Sequence, residues 1–245
     1  MRAGEVLRHL AALPARDLGA LDGGRPALIL APHPDEESLG CGGFIAEACR
    51  RGRPPHVLVL TDGTGSHPNS RSHPAPVLRA VREREARAAV AELGLPPGRI
   101  GFLGLRDTAA PTAGPAFGDA VRAVCDTLSH EGCGLLLAPW QHDPHCDHEA
   151  AHLMAVSAAR ASGVPHLAYP VWGWTLPEGH PLPDPAPDGA RLPIAAHLPA
   201  KRRAIAAHAS QYSDLIRDDP AGFRLPPRLL AVFDRPYETF LHVSP

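Results

Sequence analysis

Near the start of the chain, an imidazole and three carboxylates stand close together, as His33, Asp35, Glu36 and Glu37. They follow a short apolar stretch, residues 27–31, that is typical of a buried β-strand. In open α/β sheets, ligands bind beyond the carboxyl ends of the strands. Imidazole and carboxylate oxygen together suit a catalytic zinc ion. The run therefore indicates a metal site, although its carboxylates could instead cap the helix that follows.

A second cluster, rich in histidine, contains His142, His145, His148 and His152. It also follows an apolar strand pattern, at residues 135–139. Such a composition is typical of metal binding, although a polar surface loop is the simpler alternative for one cluster alone. Two such clusters at the ends of neighbouring parallel strands would meet at one edge of a sheet. We therefore expect them to form a single site.

A mononuclear zinc hydrolase keeps three protein ligands and leaves one position open for water. Here His33 and His148 are the natural nitrogen ligands, and the third ligand is Asp35, Glu36 or Glu37. One of the remaining carboxylates must stay off the metal and take the proton from water.

A second imidazole is needed on the far side of the bond that breaks. His145 suits this task, either by stabilising the oxyanion or by protonating the leaving amine, and Asp147 could orient either imidazole. Cys146 lies between them and offers a nucleophile as the alternative chemistry.

Composition excludes several other classes of function. The chain has 245 residues, 44% of them hydrophobic and 20% charged, and a formal net charge of −2, so it has no electrostatic footprint for nucleic acid. No run is long enough to span a membrane, and the first residues do not resemble a signal peptide. The five cysteines form no Cys-x-x-Cys pair and are typical of reduced thiols. We therefore expect a cytoplasmic protein.

Short apolar strand patterns alternate with helical patterns along most of the chain, which predicts an α/β fold with a Rossmann-like, mostly parallel sheet and helices on both faces. We expect one domain overall, with an N-terminal helix in residues 1–25, a catalytic core in residues 26–175 and a C-terminal segment, residues 176–245, packed on the core. The detailed expectations are a first helix at 5–21, strands at 27–31, 56–60, 100–103, 135–138 and 166–171, helices at 38–50, 76–93, 117–130 and 148–161, an edge strand at 194–198 and a helix at 200–211. Residues 223–243 carry no clear pattern.

The pattern Gly40-Cys41-Gly42-Gly43 follows the first cluster but lacks the spacing of a nucleotide-binding loop. Small residues here are better explained by close packing of a helix on the sheet.

The two clusters, His33-Pro34-Asp35-Glu36-Glu37 and His145-Cys146-Asp147-His148, resemble the two motifs of the PIG-L/LmbE-type de-N-acetylases. That family includes N-acetylglucosaminyl-phosphatidylinositol deacetylases and the mycothiol and bacillithiol pathway deacetylases. The resemblance extends over roughly residues 26 to 212, through the segments Leu60-Thr61-Asp62-Gly63, Arg82-x-x-Glu85, Phe102-Leu103-Gly104-Leu105 with Asp107, and Lys201 to Gln211.

The resemblance implies a role for each matching residue. The metal ligands would be His33, Glu36 and His148, the general base Asp35, and the residue acting on the tetrahedral intermediate His145, while Arg82 and Asp107 would contact the sugar. The chain departs from the family at Glu36, where Asp is usual, and at Cys146, where many members carry Pro. The choice between Glu36 and Glu37 as ligand therefore stays open.

The resemblance implies a zinc-dependent amidohydrolase, with Fe²⁺ as another metal that such ligands accept. The substrate would be a small N-acetylglucosamine-type sugar or a glycoconjugate, and specificity would lie in loops at 63–76 and 179–189. Two alternatives are a deacylase of a non-sugar N-acyl metabolite and a non-catalytic module that binds metal or sugar. A homo-oligomer is compatible with the sequence.

Overall fold

The computed structural model of the chain describes residues 1–243. Its strands are β1 (Ala27–Ala31), β2 (His56–Thr61), β3 (Ile100–Leu105), β4 (Leu135–Pro139), β5 (His166–Tyr169), β6 (Gly189–Pro193) and β7 (Tyr237–His242). Its α-helices are α1 (Ala3–Ala12), α2 (Leu18–Asp22), α3 (Glu36–Arg50), α4 (Ala75–Glu92), α5 (Gly114–His130), α6 (Cys146–Ser162), α7 (Leu198–Ala207), α8 (Ala209–Tyr212) and α9 (Pro227–Phe233). Within residues 1–243, no helix is both long and apolar enough to cross a membrane.

All seven strands form one sheet in the order β3-β2-β1-β4-β5-β7-β6. Strands β1 to β5 are parallel, whereas β7 runs antiparallel to both β5 and β6. The expected mostly parallel α/β fold is therefore confirmed. The C-terminal segment completes the sheet, because it supplies both strands at one edge.

Alternate residues of the central strands enter two separate hydrophobic cores. Leu28 and Leu30 of β1 belong to a core with residues of α5 and α6, whereas Ile29 and Ala31 belong to another with residues of α3, α4 and α7. Successive side chains of a strand point to opposite faces, so helices cover the sheet on both sides. This explains why β1 is an unbroken apolar run rather than an alternating one.

Helix and strand positions in the first two-thirds of the chain agree with the expectations to within a few residues, except at the N-terminus. The single helix expected at 5–21 is wrong. Pro14, which has no N–H to donate, separates α1 from α2. Asp17 caps α2, since its Oδ1 accepts a hydrogen bond of 2.9 Å from the backbone N–H of Ala20.

The expectations for the C-terminal third are less accurate. The edge strand expected at 194–198 is wrong, because the strand is β6, whose residues pair with β7 across a large distance in sequence. The helix expected at 200–211 is interrupted at His208, where α7 ends and α8 begins after it. Residues 223–243 contain α9 and β7.

Glycines let α3 lie unusually close to its neighbours. A Cβ atom at Gly40 would stand 2.4 Å from Cδ2 of Tyr169, and one at Gly43 would stand 2.4 Å from Cγ2 of Ile194. Real Cβ atoms do not approach other atoms so closely. The explanation of this glycine-rich run as a packing device is confirmed.

We expect Gly40→Ala to lower the free energy of unfolding by about 1–3 kcal/mol. The Tyr169 ring cannot easily give way, because it is fully buried and its hydroxyl donates a 2.6 Å hydrogen bond to the carbonyl of Leu30. Urea denaturation monitored by circular dichroism measures the change. Gly98→Ala is the matched control, since a Cβ there meets no atom within 4 Å. Equal urea denaturation midpoints for Gly40→Ala and Gly98→Ala would contradict the packing argument.

Candidate active site

The two sequence clusters meet where β1 and β4, neighbours in the sheet, reach their carboxyl ends. The ring of His33, which follows β1, lies 4.6 Å from that of His145 and 5.7 Å from that of His148, centroid to centroid. The expectation that both clusters contribute to one site is confirmed. The N-terminus of α6 presents His145 and His148, and the N-terminus of α3 presents Glu36.

Glu36 brings a carboxylate oxygen between two imidazoles. Its Oε1 lies 3.2 Å from Nδ1 of His33 and 2.5 Å from Nε2 of His148. Glu37 turns away from this point: its Oε1 lies 2.9 Å from Nε2 of His208, and its Oε2 accepts a hydrogen bond from the backbone N–H of Asp35. Of the two carboxylates that the sequence left open as a metal ligand, the geometry favours Glu36.

A buried carboxylate that sequence reasoning missed holds His148 in place. Nδ1 of His148 donates a 2.9 Å hydrogen bond to Oδ2 of Asp143. The same carboxylate accepts hydrogen bonds from the backbone N–H groups of Val171, Trp172 and Gly173. With Nδ1 engaged, Nε2 is the nitrogen of His148 that faces the site. The position of Asp143 within the histidine-rich run was the only signal of this role in the sequence.

His33 is oriented in a similar way. Its Nε2 lies 3.0 Å from Oδ2 of Asp147 and 3.2 Å from Oδ1 of Asp107. Asp147 also accepts hydrogen bonds from the backbone N–H groups of Thr108 and Ala110, so its carboxylate is held on several sides. Asp147, expected to orient an imidazole, contacts His33. Asp107, expected to contact a sugar, lies beside the same imidazole.

The electrostatics of this cluster favour a cation. Burial lowers the pKa of His33, but Glu36 and the two aspartates outweigh it and raise that pKa well above the ordinary value. Burial likewise opposes a charge on His148, yet Glu36 and Asp143 raise its pKa to about 9. The two histidines hold the pKa of Glu36 well below its usual range despite the burial. The site therefore stabilises positive charge.

Several side chains of this site lie close enough together to hold a metal ion. Ligand atoms of His33, His145 and His148 lie within 4.8 Å of one another, as do those of His33, Asp107 and Asp147. A metal binds imidazole nitrogens that carry no proton. A divalent cation at this site would therefore replace the positive charge that the imidazoles carry when they are protonated. Nitrogen and carboxylate donors of this kind suit zinc and other first-row metals.

Asp35 lies beside the cluster but makes no hydrogen bond to its imidazoles. Burial raises the pKa of Asp35 to about 6, even though Arg82, whose Nη2 is 3.4 Å from Oδ2, opposes the shift. Arg82 itself is buried and donates 2.8 Å hydrogen bonds to the carbonyls of Gly63 and Pro34. Asp35 thus has the acidity of a base that works near neutral pH.

His145 is half-buried at the start of α6. Its Nδ1 accepts a hydrogen bond of 3.2 Å from the backbone N–H of Asp147. Burial and the neighbouring histidines lower the pKa of His145, which keeps the ring neutral. In a neutral imidazole whose Nδ1 accepts a hydrogen bond, the proton is on Nε2. His145 therefore has a hydrogen-bond donor, the N–H of Nε2, at the edge of the ring away from Nδ1.

A cavity of about 350 Å³ opens over these residues. Its polar lining residues are His33, Asp35, Glu36, Ser66, Arg82, Asp107, Thr108, His145 and Gln211, and its other lining residues are Leu39, Gly65, Pro144, Trp172, Phe223 and Leu225. The loop expected at 63–76 contributes Gly65 and Ser66. The loop expected at 179–189 does not line this cavity and instead borders a separate one near Trp140.

Comparison with known proteins agrees with this geometry. The sequence profile of the PIG-L family, described as GlcNAc-PI de-N-acetylase, matches residues 28–159, more than half of the chain. The 1D-myo-inositol 2-acetamido-2-deoxy-alpha-D-glucopyranoside deacetylase of Rhodococcus opacus (strain B4) is 29% identical over 239 residues, which covers 76% of this chain and 82% of that protein. The 2'-N-acetylparomamine deacetylase of Streptomyces fradiae is 34% identical over 152 residues, covering 56% of this chain and 53% of that protein.

The fold is also shared with a solved structure. The N,N'-diacetylchitobiose deacetylase from Pyrococcus horikoshii superimposes with a TM-score of 0.69 at 23% sequence identity, covering 93% of this chain and 87% of that one. The matched profile spans both histidine-containing motifs of the site. The chain belongs to the PIG-L family of de-N-acetylases.

Proposed function

We propose that this protein is a zinc-dependent amidohydrolase that removes the acetyl group from a small N-acetylated amino sugar. The observation that carries the proposal is the meeting of Glu36 Oε1 with nitrogens of His33 and His148, in a cavity also lined by Asp35 and His145. The relatives named above are all deacetylases of N-acetylated sugars or aminoglycosides by their names.

In this proposal His33, Glu36 and His148 hold the metal, with zinc the first choice and Fe²⁺ the alternative. A divalent metal supplies a Lewis acid that polarises a carbonyl and lowers the pKa of water to about 7. Asp143 and Asp147 keep the two imidazoles in the required orientation and tautomer.

Asp35 is the proposed general base. It takes a proton from the attacking water as the new C–O bond to the acetyl carbon forms. Its pKa of about 6 leaves it ionised at neutral pH and still basic enough to accept that proton.

His145 is proposed to act on the tetrahedral intermediate from the other side. The N–H on its Nε2 can donate a hydrogen bond to the developing oxyanion, while the proton that Asp35 took from water passes to the nitrogen that leaves. The C–N bond breaks, and the products are acetate and the free amine.

Nine of the fifteen residues that line the cavity have polar side chains, which gives a sugar substrate partners for its hydroxyls. We propose that Asp107 and Arg82 contact sugar hydroxyls. Asp107 has a carboxylate that borders the cavity, and Nε of Arg82 is a buried donor with no partner within the described residues.

We expect Asp35→Asn to lower kcat for acetate release about 10²- to 10⁴-fold, because an amide cannot accept the proton from water. The assay is acetate release from methyl N-acetylglucosaminide by the zinc-loaded protein. The metal content of the variant is measured alongside, so that loss of the base is separated from loss of metal. Asp119→Asn, at an exposed position on α5, is the control. Wild-type activity in Asp35→Asn would rule out this base.

Removal of metal with a chelator is expected to abolish acetate release, and addition of Zn²⁺ or Fe²⁺ is expected to restore it, because the proposed reaction needs a Lewis acid. Reconstitution with each ion in turn, with activity and bound metal measured together, shows which metal the site prefers. Full activity in metal-free protein would contradict the proposal.

We expect Asp143→Asn to weaken zinc binding about 10- to 100-fold, since the partner that orients His148 is lost. Competition with a chromophoric chelator measures the affinity without reference to catalysis. Asp184→Asn is the matched control, because Asp184 contacts His142 at the protein surface. An unchanged affinity in Asp143→Asn would show that the carboxylate does not support the ligand.

A further inference from the structure

Cys146 is a thiol beside the candidate active site that the proposed reaction does not use. It is exposed at the start of α6, between His145 and Asp147. Its Sγ lies 3.8 Å from Oδ1 of Asp147 and 3.6 Å from the carbonyl oxygen of Thr108. Ligand atoms of His145, Cys146 and Asp147 lie within 4.8 Å of one another, so an imidazole, a thiol and a carboxylate are close enough to share one ion.

The fold does not require a cysteine at this position. Cys146 is the first residue of α6, a position that favours proline. The residue before a proline must have extended backbone, and His145 already has it, with φ −146° and ψ 134°. Proline, which many members of the family carry here, would therefore fit the same backbone. The thiol is a donor atom that the local backbone does not explain.

The carboxylate of Asp147 can serve this cluster and the candidate active site together. Its Oδ2 lies 3.0 Å from Nε2 of His33, whereas its Oδ1 is the oxygen on the side of the thiol. Oδ1 accepts one hydrogen bond, from the backbone N–H of Ala110, which leaves its second lone pair for a metal.

These donors suit a thiophilic divalent cation, such as Zn²⁺ or Cd²⁺. Thiolate sulfur selects soft metals, and imidazole nitrogen and carboxylate oxygen also bind zinc. When the ion binds, the thiol of Cys146 releases its proton to solvent and a sulfur–metal bond forms. The thiolate and the Asp147 carboxylate then carry two negative charges, which balance the charge of the ion.

We propose that His145, Cys146 and Asp147 form a second, inhibitory site for a thiophilic divalent cation at the edge of the cavity. An ion held there uses His145, which is proposed to act on the tetrahedral intermediate, and Asp147, which orients His33. Its occupancy therefore lowers the rate of acetate release. The inhibition rests on the proposed deacetylase function, whereas the binding of the ion does not.

The binding is tested on the zinc-loaded protein. After dialysis against a small excess of Zn²⁺, the wild type is expected to hold one zinc ion per chain more than Cys146→Ser or Cys146→Pro. Cd²⁺ gives a second readout, because a cadmium–thiolate bond absorbs ultraviolet light and the proposed catalytic ligands include no thiol. We expect this absorption band in the wild type and in neither Cys146 variant. Cys125→Ser, at a half-buried position on α5, is the matched control and is expected to keep the band.

The inhibition is tested by acetate release from methyl N-acetylglucosaminide at increasing Zn²⁺, with each rate taken relative to the same protein without excess metal. We expect the half-inhibiting Zn²⁺ concentration to rise about 10-fold or more in both Cys146 variants, since even loss of an outer partner of a metal ligand has an effect of that size. Cys125→Ser is expected to be inhibited like the wild type.

Equal zinc contents and equal cadmium spectra in the wild type and the Cys146 variants would overturn the proposed site. A second bound ion that leaves acetate release unchanged would overturn its inhibitory role. A wild type that releases acetate from no N-acetylated sugar would overturn the proposed function instead, while the zinc content and the cadmium band would still decide whether the site exists.

Discussion

The contact of one Glu36 oxygen with the imidazoles of His33 and His148 is the interaction on which the rest of the site depends. It joins α3 to α6 across the carboxyl ends of β1 and β4. Three charged or chargeable groups are buried there, and burial of unpaired charge is costly. These buried groups therefore need hydrogen-bonding or oppositely charged partners, and other polar residues at this edge of the sheet supply them.

Asp143, Asp147 and Asp107 are those partners. Each contacts one of the two imidazoles, and each is itself held by backbone N–H groups from a neighbouring loop. The loops after β3, β4 and β5 are thereby tied to the same cluster. Hydrogen bonds from several loops thus hold the side chains that orient the proposed metal ligands, and the placement of a metal depends on such partners.

The helix that carries Glu36 is anchored from the far end of the chain. Glu238 of β7 accepts hydrogen bonds from the backbone N–H groups of Gly43 and Phe44 and from Nζ of Lys201, at 2.6–2.8 Å. Lys201 lies on α7, so this buried ion pair links α3, α7 and the sheet. The glycines of α3 allow the close approach. Residues remote from the candidate site thus help to hold in place the helix that carries Glu36.

The sequence alone determined the parts of this protein that depend on local pattern. Apolar runs placed β1 to β5, and the two motifs contain every residue proposed to bind the metal or act on the substrate carbonyl. The individual roles came from the family resemblance, which left the choice between Glu36 and Glu37 open. Those motifs carry their chemistry in residue type and spacing, which need no knowledge of distant contacts. The same reasoning failed at the strand expected at 194–198, since β6 exists only through pairing with β7.

Tertiary structure alone decided which carboxylate faces His33 and His148. Glu36 and Glu37 are adjacent and chemically alike, but at neighbouring positions of a helix their side chains point in different directions, one to His148 and the other to His208. Asp143 became a functional candidate for a similar reason. Its role follows from hydrogen-bond partners on other elements, and such partners are set by how helices and loops pack, not by the order of residues in the chain.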